Sequence, residues 1–154
     1  MRRIFKPWLP VLLWMGVIFA MSTGLGSMEH TSLIVEPLLR WLNPHITAEG
    51  LAQAHFLVRK CAHFTEYALL AFLTQRAVAR SLYPEGGGNL LKVAGVTLVL
   101  IMAYAATDEF HQLFVEGRGP SLHDVMIDTL GGFTALAVPL LWRKTTERAA
   151  VAAG

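Results

Sequence analysis

"ATDEFHQLFVEGRGPSLHDVMID", residues 106–128, gathers Asp108, Glu109, His111, Gln112, Glu116, Arg118, His123, Asp124 and Asp128 into one short stretch. An apolar run, "LLKVAGVTLVLIMAYAAT", precedes it, and another, "TLGGFTALAVPLLW", comes after it. Ionisable groups cost free energy wherever water is excluded, so this concentration between apolar segments needs a reason. The reason depends on the solvent that the apolar runs meet.

Composition identifies that solvent. Of 154 residues, 54% are hydrophobic and 16% charged, and the mean hydropathy is +0.47. A soluble domain carries roughly 25% charged residues. The deficit implies a membrane. Spans of about 20 residues each would use most of the chain, so residues 1–154 read as a single domain. The net charge of +2 is small and no basic run is interleaved with aromatic residues, which argues against a nucleic-acid partner. Cys61 is the lone cysteine, so an internal disulfide and a cysteine metal cluster are both excluded.

Four spans are expected, at about 8–24, 55–76, 90–112 and 123–142, which makes the fold an all-α polytopic four-helix transmembrane bundle. The first, "WLPVLLWMGVIFAMST", comes after Arg2, Arg3 and Lys6 and shares the basic start and apolar core of a secretory signal. The chain beyond it is itself membrane-like rather than a soluble mature domain, which favours a retained helix. Between the first and second spans, "TSLIVEPLLRWLN" sets Leu33, Ile34, Leu38, Trp41 and Leu42 at near-helical spacing beside Glu36 and Arg40. This amphipathic segment suits the membrane interface, or a lid over the bundle. "LYPEGGGN" forms the turn before the third span. There is no internal repeat.

Nine of the thirteen Lys and Arg residues fall on one side of such a chain: Arg2, Arg3, Lys6, Arg76, Arg80, Lys92, Arg143, Lys144 and Arg148. Arg40, Arg59, Lys60 and Arg118 fall on the other. The positive-inside rule then places both termini in the cytoplasm. The charge-free stretches 67–75, 93–107 and 129–142 are each shorter than the ~20 residues a spanning helix needs. Each must draw in a flanking polar run: 60–66, 108–112 and 124–128. With both termini inside, all three runs lie at the outward end. That is the expected answer to the opening question: the polar residues are neighbours across helices.

At 3.6 residues per turn, Asp108, His111 and Gln112 share a face, as do Lys60, His63 and Tyr67, and as do Asp124 and Asp128. Charge facing lipid is expensive, so these faces should turn inward around a water-accessible cavity. Glu66, one turn past His63, can meet His63 or a neighbouring helix. Glu109 lies roughly 100° off the face of Asp108, so its side chain should aim elsewhere.

The segments "KCAHFTEYALLAFL", "DEFHQLFVEGRGPSLHDVMIDTLGG" and, more weakly, "MSTGLGS" resemble the VanZ-like family of bacterial membrane proteins, named after a teicoplanin-resistance protein. Lys60, His63, Phe64, Glu66, Tyr67, Asp108, Glu109, His111, Gln112, Phe114, Gly117, Arg118, Asp124 and Gly131 carry the match. Asp128 stands where many relatives have Asn. The resemblance implies a four-helix integral membrane protein of the cell envelope, in the bacterial cytoplasmic membrane, associated with resistance to teicoplanin-type glycopeptides.

Several roles compete for these residues. One is a site that binds or modifies an anionic envelope component, with His63, Asp108, His111, Asp124 and Asp128 for chemistry and Lys60, Glu66, Tyr67, Glu109, Gln112 and Arg118 for binding. Membrane lipids are the expected surroundings, and a lipid-linked or anionic envelope ligand is the expected partner. A second is a lipid-phosphate hydrolase or transferase: Arg118, Asp124 and Asp128 are spaced six and four apart, as in phosphatidic-acid-type phosphatases, with Asp124 at the nucleophile position and His63 or His111 as acid or base. A third is a plain salt-bridge network of Lys60 and Arg118 against Asp108, Glu66 and Asp124. No cofactor is expected, although the His and Asp groups suit a divalent metal. "SLHD" fits a capping box at the start of the fourth span, and Gly131, Gly132 and Ala135 suit close helix packing.

Overall fold

The computed structural model describes the backbone at residues 2–23, 28–115 and 121–153, and the side chains of most of these up to 141. Within them the chain is all-α: α1 (Arg2–Ser22), α2 (Met28–Leu42), α3 (Ala48–Leu82), α4 (Leu90–Gln112) and α5 (Leu122–Ala153). Local chemistry sets several ends. Thr47 caps α3, its side chain accepting from the Gly50 amide at 3.1 Å, and Asn89 caps α4 by accepting from the Lys92 amide at 3.1 Å. Between them Gly86 and Gly87 take positive φ values of 87° and 74°, which closes the turn that the Gly run announces.

α3 is the central element and touches every other helix; α4 also packs on α1 and α5, and α2 touches α3 alone among the described residues. The amphipathic segment is thus helix α2, with Glu36 and Arg40 paired at 2.8 Å and Trp41 on the outside. Val11, Ile18, Leu70, Ala71, Ala77, Ile101, Ala105 and Leu136 form the core. Two glycines let α5 approach. A Cβ at Gly131 would collide with the Phe64 carbonyl of α3, and one at Gly132 would lie 2.8 Å from Ile101 Cγ2 of α4. Trp8 Nε1 donates to Ser81 Oγ at 2.9 Å, and Tyr104 Oη donates to the Met15 carbonyl at 2.6 Å. The first of these joins the start of α1 to the end of α3, so those two helices are antiparallel.

The expectation of four apolar spans is met by two. Among the described residues, Phe5–Ser22 of α1 and Leu90–Gln112 of α4 are long and apolar enough to cross a membrane. In α3 the apolar run is interrupted by Arg59, Lys60 and Glu66, and the described part of α5 opens with Asp124 and Asp128. The apolar surface of α1 and α4 stays largely outside the fold: Leu13 is 63% and Val99 66% exposed. Helices buried inside a soluble protein would hide these side chains, whereas here they are left for a membrane or a partner surface to cover.

Candidate functional site

The ends of three helices meet the middle of a fourth, α3, where α1 and α4 finish and α5 begins. Ser22, from the last turn of α1, donates to Asp108 Oδ2 of α4 at 2.7 Å. Gln112 lies one turn beyond Asp108, and both are buried. α5 contributes Asp124 in its first turn and Asp128 one turn deeper, the latter fully buried. α3 passes through the centre, setting Lys60, His63 and Tyr67 on the face turned toward them.

Two contacts organise the cluster. The Lys60 ammonium pairs with the Asp124 carboxylate, while also lying 5.1 Å from the centre of the Phe56 ring. His63 Nδ1 lies 3.3 Å from Asp128 Oδ1, close enough for an ion pair but without hydrogen-bond alignment. The expected proximity of His63 to the acidic groups of α4 and α5 is therefore present, with Asp128 as the nearest partner. Donor atoms of His63, Asp108 and Asp128 all lie within 4.8 Å of one another. Tyr67 is fully buried, its hydroxyl is unpartnered, and it lies close enough to Asp108 and Asp128 to feel both charges.

The remaining candidates separate. Glu109 turns away from the Asp108 face, as its angle requires, and Oε2 accepts from the Ser121 amide at 2.7 Å. It thereby satisfies one of the free amides at the start of α5 and places a negative charge at the positive end of that helix. Asp124, given to the same end by the capping pattern, is engaged by Lys60. Glu66 is half-buried and near enough to His63 to act on it electrostatically. His111 is the exception: its ring lies 4.3 Å from that of Phe19 on α1, and it is not among the three converging donors. The shared face of Asp108, His111 and Gln112 is thus split at the end of α4, because α1 ends beside it and offers an aromatic surface. Arg118, with Gly117 and Gly119, lies outside the described residues.

Two members escaped the residue-by-residue reading. Ser22 positions Asp108, and its signal was the weak "MSTGLGS" segment. Arg59 lies within electrostatic range of His63, and its Nε is buried without a partner. Chemically, the arrangement offers two buried carboxylates and an imidazole with unused lone pairs, beside a carboxylate already neutralised by an ammonium.

No curated protein and no solved structure matches the chain. The VanZ/LLP1 family model matches residues 7–143, which takes in most of α1, all of α2, α3 and α4, and the cluster-bearing part of α5. The family and the two apolar helices point to a membrane protein, and the chain belongs to the VanZ/LLP1 family.

Proposed function

We propose that the protein is an integral membrane protein of the bacterial cell envelope that binds or modifies an anionic envelope component at the clustered end of its helices, and so lowers susceptibility to teicoplanin-type glycopeptides. The observation that carries this reading is the burial of His63, Asp108, Asp124 and Asp128 in one cluster beside the half-buried Lys60, with several polar atoms left unpartnered. Charged groups inside a membrane protein mark ligand or ion sites, because packing alone would be served better by apolar residues. Lys60 and Arg59 suit an anionic head group, as does Arg118 by its charge alone.

Four crossings are part of the proposal, and connectivity supports them. The contact of Ser22 with Asp108 sets the last turns of α1 and α4 at the same end. Two parallel crossings require a return between them, and α3, with 35 residues, is long enough to make it. α5 starts at the cluster and packs along α3 and α4, which returns the chain to the side where it began. The excess of Lys and Arg at that side makes it the cytoplasm, with both termini inside and the cluster facing outward from the cytoplasmic membrane.

The hydrolase or transferase alternative would have Asp128 orient the group at position 124. Asp128 faces His63 instead, and Asp124 is taken up by Lys60. Binding is the reading better supported. It is tested by comparing a deletion strain with strains carrying the wild type or Lys60→Ala, measuring teicoplanin susceptibility and profiling envelope lipids and lipid-linked precursors by mass spectrometry. Restored protection by the wild type alone, with a change in one anionic lipid class, is expected. Identical profiles and susceptibility in all strains would refute the proposal.

A further inference from the structure

We propose that His63, Asp108 and Asp128 form a binding site for one divalent transition-metal ion of the zinc or manganese class. The three residues come from three different helices, α3, α4 and α5, and each presents a ligand atom within 4.8 Å of the other two. All three are buried. Nothing in the sequence spacing of these residues produces that convergence; it arises from the packing of the helices.

Geometry and unsatisfied valence point the same way. His63 Nδ1 and Asp128 Oδ1 are 3.3 Å apart without a hydrogen bond between them. Two ligands held about 2.0–2.1 Å from a tetrahedral centre are separated by about 3.3 Å, so the pair stands as ligands of one ion would. Asp108 Oδ1 and both oxygens of Asp128 are buried and make no hydrogen bond. Asp108 Oδ2 is held by the Ser22 hydroxyl, an outer contact of the kind that fixes the orientation of a metal-binding carboxylate and leaves its second oxygen free. The fully buried Tyr67 hydroxyl, unpartnered and near both carboxylates, is a second polar group awaiting a neighbour in the same space.

Charge makes the same demand. Asp124 has Lys60 and Glu109 has the Ser121 amide, whereas Asp108 and Asp128 are left with an imidazole between them. Arg59 is near His63 but forms no ion pair with either carboxylate among the described residues. One divalent cation neutralises the two carboxylates, which otherwise lie buried with at most the single charge of His63 against them. An imidazole donor selects against magnesium and calcium, which prefer all-oxygen shells, and favours zinc or manganese. Three protein ligands leave a position open, and there an oxygen of the proposed anionic ligand finds a positive partner. In that respect the site deepens the functional reading above and rests on the same cluster.

Metal binding is measured without any anion, so its failure is distinguishable from failure of the anion-binding reading. The purified full-length protein in detergent is stripped with chelator and dialysed against Zn²⁺ or Mn²⁺, and bound metal is counted by mass spectrometry. One equivalent is expected for the wild type, with a higher unfolding temperature in the loaded form. Asp128→Asn and His63→Ala should each weaken binding at least tenfold, while Asp124→Asn, outside the ligand set, should keep it. Co²⁺ loading supplies a check that needs no variant: a visible absorption spectrum of low-coordinate cobalt is expected. Less than a tenth of an equivalent on the wild type, or equal metal on wild type and Asp128→Asn, would overturn the site.

Discussion

The two ends of the helix assembly are built from the same helices on opposite rules. Around Trp8, Val78, Val93 and Thr97 the buried groups are apolar or satisfied locally: Trp8 finds Ser81, and Thr97 Oγ1 donates to the Val93 carbonyl one turn back at 2.8 Å. At the other end Tyr67, Asp108, Gln112 and Asp128 are buried with side-chain atoms that find no partner. An unsatisfied buried polar group costs about 1–3 kcal/mol, and nothing about packing requires several of them together. The first end holds the fold; the second carries buried polar groups at the expense of stability, as the proposed site requires.

Substitutions should therefore separate the close packing contacts from the polar side chains. The largest loss is expected where the helices touch most closely: Gly131→Val drives a side chain into the Phe64 backbone and should remove about 3 kcal/mol or prevent insertion, read as loss of membrane-embedded protein. Ile101→Ala, in the apolar core against Gly132, should lower stability by about 2 kcal/mol, at the low end for such changes because lipid is as apolar as the core it replaces. Unfolding in detergent measures it, and an unchanged midpoint would mean that α4 and α5 do not pack as described.

Smaller effects belong to the polar end. Lys60→Met strands the Asp124 carboxylate, and since the Lys60 side chain remains 18% exposed the cost should be about 1–2 kcal/mol rather than that of a fully buried pair. Adding Asp124→Leu should recover most of the lost stability and none of the function; continued instability of the double variant would count against the pair. Smallest is Glu109→Gln, whose amide oxygen still accepts from Ser121, with a change below about 1 kcal/mol and function retained.

Much of this arrangement was legible in the sequence because helix period and membrane cost act together. The span drawn at 90–112 coincides with α4, bounded by the Gly-rich turn and the Asn89 cap. The inward faces of α3 and α5 came from the expense of charge in lipid, and the glycine pair from its need for close approach. α3 proved longer than the 55–76 drawn, extending from Ala48 to Leu82, since Thr47 caps it early and no breaker intervenes before Tyr83. Partner choice was not legible. Period places His63 and Lys60 on one face, but only the axial offset of α5 decides that Lys60 meets Asp124 and His63 meets Asp128. His111 lay on the expected face of an isolated helix, and the neighbouring Phe19 of α1 determined its actual surroundings.

Asp128→Asn tests the difference between the two ends most directly, because it changes the charge of the deepest acidic group and almost nothing of its shape. Membrane-embedded protein and unfolding temperature should be measured beside teicoplanin susceptibility in the same strain. The account predicts wild-type protein level, an unfolding temperature unchanged or raised when both proteins are compared free of metal, and susceptibility equal to that of the deletion strain. Retained protection, or a loss of protein that accounts for the loss of protection, would show that the polar end is a structural network and contradict the account.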